Sequence, residues 1–122
     1  RLKWHVQLLL GGRMIELDLS PIPNQEFMMV LDRQSCVINI YQRAGRVYLD
    51  LFMDGEPVQV GSLLQPKAPT ITRADCPFKG NFRVVDSQST PDKQKMPTYE
   101  ELGTRFKVFY LSEEEEAQVA KY

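Results

Sequence analysis

Five stretches of the chain alternate their side chains with a period of two, and only an extended strand puts residues i and i+2 on one face. In Glu26–Asp32, Phe27, Met29 and Leu31 point one way, and Met28 and Val30 point the other. Cys36, Ile38 and Ile40 then alternate with Val37, Asn39 and Tyr41. In Arg46–Asp54, Val47, Leu49, Leu51 and Met53 alternate with Tyr48, Asp50, Phe52 and Asp54. Asn81–Val85 keeps the same habit, as does Arg105–Leu111, where Phe106, Val108 and Tyr110 oppose Lys107, Phe109 and Leu111. These runs are rich in Val, Ile, Phe and Tyr, which suit a pleated, half-buried surface.

The breaks between the runs carry turn chemistry. Asp32-Arg33-Gln34-Ser35 separates the first two, and Arg43-Ala44-Gly45 the second from the third. Asp54-Gly55 leads into Pro57–Val60, and Asp-Gly favours a hairpin turn whose twist matches its strands. Successive hairpins make a meander of neighbouring strands. The expected fold is therefore all-β: a small antiparallel sandwich or partly closed barrel, with long proline-containing loops and a short C-terminal helix.

Two irregular stretches follow the meander. Gln65–Gly80 holds Pro66, Pro69 and Pro77, and belongs at a sheet edge or in a loop because proline donates no ladder hydrogen bond. Asp86–Gly103 holds Pro91 and Pro97; loops this long are usually functional or disordered. Pro97–Gly103 predicts one helical turn ending at Gly103, and Ser112 an N-cap for a helix over Glu113–Ala120 whose acidic start suits the helix dipole. Ahead of the meander, Trp4–Leu10 reads as an extra strand with Trp4, Val6 and Leu8 on one face. Gly11-Gly12 then forms a hinge, Met14–Leu19 a further strand, and Ser20–Asn24 an extended crossover set by Pro21 and Pro23. The organisation expected is an arm over 1–13, a β domain over 14–111 and an acidic helix or tail over 112–122.

With 122 residues the chain has the length of one domain, enough to bury about two thirds of its unfolded surface without a metal or disulfide. Fifteen basic and sixteen acidic side chains leave no large basic surface for nucleic acid. No apolar run approaches the ~20 residues that span a bilayer, and Arg1–Leu10 lacks the long apolar core of a secretory leader. Cys36 and Cys76 read as two free thiols of a reducing compartment.

No catalytic, cofactor or metal site emerges. His5 is the single histidine and has no cluster of Cys or His ligands around it. The cysteines lie forty positions apart, without metal or redox spacing. Asp50 and Asp54 share a strand face near Glu56, but Asp54 is required by the turn; a solvated face is the simpler reading. Glu113–Glu116 lacks the glycine bend of a calcium loop, and no phosphate-binding glycine motif is present. Arg43, Arg46 and Arg83 with Tyr41, Tyr48 and Phe82 imitate the basic-aromatic face that grips single strands, which keeps an OB-like binding module for nucleic acid or peptide as the alternative.

An ordered set of segments is more specific than any of these motifs. Leu17-Asp18 leads into Pro21-Ile22-Pro23-Asn24-Gln25-Glu26-Phe27, with a strand ending Leu31-Asp32. Then come Gly45–Leu51, Asp54-Gly55-Glu56-Pro57-Val58, Phe78–Asp86, Leu102–Phe106 and Val108–Leu111. In this order, over Met14–Leu111, the chain resembles the small baseplate plug family of contractile-tailed phages. Residues 1–13 and 112–122 depart from that pattern. The resemblance implies a non-enzymatic β domain without cofactor, resident in the virion tail baseplate and assembled in the host cytoplasm. It implies three or six symmetric copies touching the tube, the hub or spike and the sheath-attachment parts, with no membrane and no specific nucleic acid as partner. Expected contact residues are Trp4, Val6, Leu8, Arg43, Arg46, Phe78 and Tyr99, with the N-terminal arm or loop 86–103 buried against another chain.

Overall fold

A computed structural model describes residues 14–88, 90 and 93–119. Its strands are β1 (Ile15–Glu16), β2 (Asn24–Leu31), β3 (Gln34–Arg43), β4 (Arg46–Met53), β5 (Glu56–Leu63), β6 (Asn81–Asp86) and β7 (Phe106–Leu111). A 3-10 turn spans Tyr99–Glu101, and a helix, α1, spans Glu113–Val119. The meander β2-β3-β4-β5 forms one antiparallel sheet, and β1-β7-β6 forms a second. The two sheets share no strand, so of the two expected architectures the molecule adopts the open sandwich.

The alternation places one set of side chains from each sheet in the common core. Ile38, Ile40, Leu49 and Leu51 from the meander are sealed there with Phe82, Phe106, Val108 and Tyr110 from the other sheet. Burying each such side chain contributes about 1.5–3 kcal/mol, so these eight alone outweigh any polar contact in the molecule. Phe78, Phe82 and Tyr110 form an aromatic knot with all three ring centroids 5.7 Å apart.

All three hairpins close with two residues of positive φ: Asp32 and Arg33, Ala44 and Gly45, Asp54 and Gly55. This turn bends with the twist of its strands and so fixes register. Only the last pair matches the preferred Asp-Gly. The packed faces on either side over-determine the first two, which hold Arg33 and Ala44 in a region non-glycine residues avoid.

Two expectations need adjustment at their limits. Met14–Leu19 pairs as a strand only at Ile15 and Glu16, although the Leu17 amide still donates to Val108 O at 2.9 Å, and Leu17 and Leu19 are buried. β5 runs on to Leu63 through an irregularity at Val60-Gly61, where Asp50 Oδ1 accepts the Gly61 amide at 2.7 Å. The helix after Ser112 starts where expected: the Glu115 amide donates to Ser112 Oγ at 3.3 Å, and the Ser112 amide donates to Glu115 Oε1 at 2.8 Å. That reciprocal pair is a capping box. The strand expected over Trp4–Leu10 lies outside the described residues.

The proline-containing segment between β5 and β6 is irregular, with turns and bends, but it is not left loose. Three side-chain amides stand in for missing strand partners. Asn81 Nδ2 donates to Ile71 O while its Oδ1 accepts the Ile71 amide, both at 2.8 Å. Gln59 Nε2 donates to Thr70 O at 3.2 Å, and its Oε1 accepts the amides of Thr72 and Arg73 at 2.9 Å. Gln34 Nε2 donates to Lys79 O at 2.9 Å, and its Oε1 accepts the Lys79 amide at 2.7 Å. Each amide offers a donor and an acceptor side by side, as a peptide unit does.

Candidate interaction surface

The sandwich leaves the outer face of the meander uncovered by any described element. Strand register sets its rows: Met28 faces Val37, Val37 faces Phe52, and Phe52 faces Pro57, giving an apolar row across all four strands. A parallel row holds Tyr41 and Tyr48, stacked with centroids 5.9 Å apart. Between them lies Asp50, whose Oδ1 accepts from the Tyr41 hydroxyl at 2.9 Å as well as from Gly61. Partial burial, then the hydrogen bond to Asp50, hold the Tyr41 phenol above its ordinary pKa. Asp50 is thus a structural acceptor, and Asp54 serves the turn; no group of acidic, His or Cys side chains among the described residues is arranged to hold a metal.

The expected contact residues fall in different places. Arg43 and Arg46 are exposed and face each other across the β3–β4 turn. Tyr99 is half-buried at the edge of the core, its amide donating to Gln42 Oε1 at 2.9 Å. Phe78, only 4% exposed, is part of the aromatic knot and has no surface to offer a partner. A phenylalanine flanked by Pro77 and Lys79 looks exposed in sequence; what buries it is its packing against the rings of Phe82 and, from a distant strand, Tyr110. Trp4, Val6 and Leu8, with His5, lie outside the described residues.

The imagined basic-aromatic face is dispersed. Phe82 is in the core, while Arg83 lies on the outer face of the other sheet, where its guanidinium holds Glu116 of α1 through both carboxylate oxygens. Tyr41 and Tyr48 remain with Arg43 and Arg46, but no single surface unites the six. Loop 87–98 is likewise anchored: Arg105 pairs with Asp86 through two hydrogen bonds of 2.7 and 2.9 Å and also donates to Lys93 O at 2.8 Å. The hydrogen bonds from Arg105 hold the Asp86 carboxyl below its ordinary pKa.

Sequence reasoning singled out Met28 and Val30 only as the opposite side of a strand. In the fold they are the most exposed large apolar side chains of the described residues, 80% and 67%. Their strand, β2, is an edge of its sheet. Beside Val30, a recess of about 680 Å³ opens between the sheets, lined also by Ile15, Tyr110, Arg33 and Lys79. The chemistry of this surface is adhesive: apolar rows, an edge strand with no second strand beside it among the described residues, and cations at a turn. Among protein families, the model described as "Cyanophage baseplate Pam3 plug gp18" matches residues 14–114. No curated protein matches the chain.

Proposed function

Since the chain belongs to the cyanophage baseplate plug family, a family of structural tail proteins, we propose that it joins the central tube, hub or spike of a contractile tail to the surrounding baseplate parts. The family match over 14–114 is the observation that carries this reading. The surface supports it, because an exposed apolar sheet face with a cationic turn serves protein contacts better than small-molecule chemistry. Contacts run through Arg43, Arg46 and Tyr99, with Trp4, Val6 and Leu8 contributing from the arm. Three or six copies follow the symmetry of the tail, and assembly takes place in the host cytoplasm before the particle is released. The role is one of binding, and no residue is assigned a catalytic step.

Proteolytic peptide mapping of purified particles, followed by imaging of the baseplate at side-chain resolution, tests the proposal. The expected result is the chain in the tail at three or six copies, with Arg43 and Arg46 against a neighbour. A particle without it, or one that carries it only outside the tail, overturns the assignment.

A further inference from the structure

β7 buries side chains on both of its faces. Phe106, Val108 and Tyr110 enter the core, so Phe109 and Leu111 point to the opposite side of the sheet, where both are buried as well. α1 lies on that side. Its Glu116 is held by Arg83, and Arg83 stands directly opposite Phe109 in the strand register. The inward side of the helix is poorly matched to what it covers. Its least exposed residues are Glu115, Glu116 and Val119, two carboxylates and one valine, whereas a helix packed on an apolar sheet ordinarily turns an apolar stripe inward. Glu115 is only 4% exposed, with Oε1 taken by the Ser112 amide and Oε2 without a partner among the described residues. A carboxylate oxygen buried in that state opposes docking. Seven residues are also too few to stay helical away from the sheet.

We propose that α1 is a hinged cover, which lifts as one unit about Ser112 while both sheets stay folded and thereby exposes Phe109 and Leu111. Two fastenings close it. The first is the Arg83–Glu116 pair, partly exposed on both sides, and such pairs add little stability. The second is the capping box of Ser112 with Glu115, which is local and opens when the chain turns at Ser112. Of the inward residues of α1 only Val119 adds apolar burial, so the cost of opening is chiefly the exposure of Phe109 and Leu111. Neither sheet depends on the helix: the ladders of β7 with β6 and with β1 are made without it. The opening therefore belongs to the cheap local motions of a folded domain. Its consequence reaches beyond the proposed tail role: the closed helix keeps from neighbours an apolar pair on the side of the sandwich away from the meander face.

Native-state hydrogen exchange of the full chain, followed residue by residue by NMR, tests this. The amides of Ser112, Glu115 and Glu116 donate to Glu115 Oε1, Ser112 Oγ and Ser112 O. They should share one protection factor, at least about a hundredfold below those of Ile38 and Leu49 and nearly independent of dilute urea. Glu115→Gln keeps the acceptor for the Ser112 amide and removes the buried charge, and should raise the shared factor about tenfold. Glu116→Gln loosens the hold of Arg83 and should lower it about threefold. Core amides should not change in either variant. The proposal is overturned if the α1 amides exchange only together with the core, if they are unprotected, or if they fray one by one from Val119 inwards. It is equally overturned if Glu115→Gln fails to raise their protection. No phage partner enters the experiment, so its failure leaves the baseplate assignment untouched.

Discussion

Replacing Gly80 with alanine isolates the close approach that lets the irregular segment cross β7. Gly80 has φ +103, and a Cβ there would stand 2.5 Å from Leu111 O and 2.5 Å from the Tyr110 hydroxyl oxygen. Both are about an ångström inside ordinary contact near 3.5 Å. The left-handed backbone costs alanine about 1–2 kcal/mol. Displacing the phenol weakens its 2.7 Å hydrogen bond to Lys79 O, worth about 1 kcal/mol. Repacking the aromatic knot costs about 1–3 kcal/mol, offset by ~0.5–1 kcal/mol from the stiffer unfolded chain. The net is about 4 kcal/mol, a fall in Tm of about 15 °C for a domain of this size. Gly45→Ala is the matched control: φ is +79, but the added Cβ meets nothing within 4 Å. It should cost only about 1 kcal/mol. Thermal and urea unfolding of both variants measure the difference. Should Gly80→Ala lose no more than Gly45→Ala, the crowding argument is wrong.

The remaining expectations concern polar groups and turns. Asn81→Asp keeps the acceptor for the Ile71 amide but leaves Ile71 O without its donor, and urea titration should show a loss of about 1–3 kcal/mol. Ala44→Asn replaces a residue at φ +52 by one that tolerates it, creating Asn-Gly and raising stability by about 0.5–1 kcal/mol in the same assay. Because Arg105 lowers the folded pKa of Asp86, the stability it adds is fully present above the unfolded carboxyl value near 4 and is lost as pH falls below it. Unfolding followed from pH 6 to pH 2 should therefore lose stability more steeply for the native chain than for Asp86→Asn. Burial pushes the Cys36 thiol up to about 11, so at pH 8 iodoacetamide should label the half-buried Cys76 well before Cys36, read by peptide mass.

What the sequence made legible was local. Alternation identified five of the six long strands and the face each buries, because a period of two is a property of the strand itself. Turn chemistry located the hairpins, even where Arg33 and Ala44 replaced the residues that such turns prefer. What stayed hidden depends on contacts between distant positions. Gln34, Gln59 and Asn81 look like ordinary surface amides until the fold brings Lys79, Thr70 and Ile71 beside them. Phe78 was read as a contact residue for the same reason. Of the candidate surface, the sequence showed that Met28 and Val30 oppose the core face; that β2 is an edge strand appears only with the sheet order.

The fastenings of the molecule also differ in kind. The span from Leu64 to Gly80 is held by neutral carboxamides, whereas α1 and the 87–98 loop are held by Arg83 with Glu116 and by Arg105 with Asp86. Protonating a carboxylate unmakes an ion pair but leaves an amide pair intact. In acid, α1 and the 87–98 loop slacken first, while the proline-rich strap keeps its place.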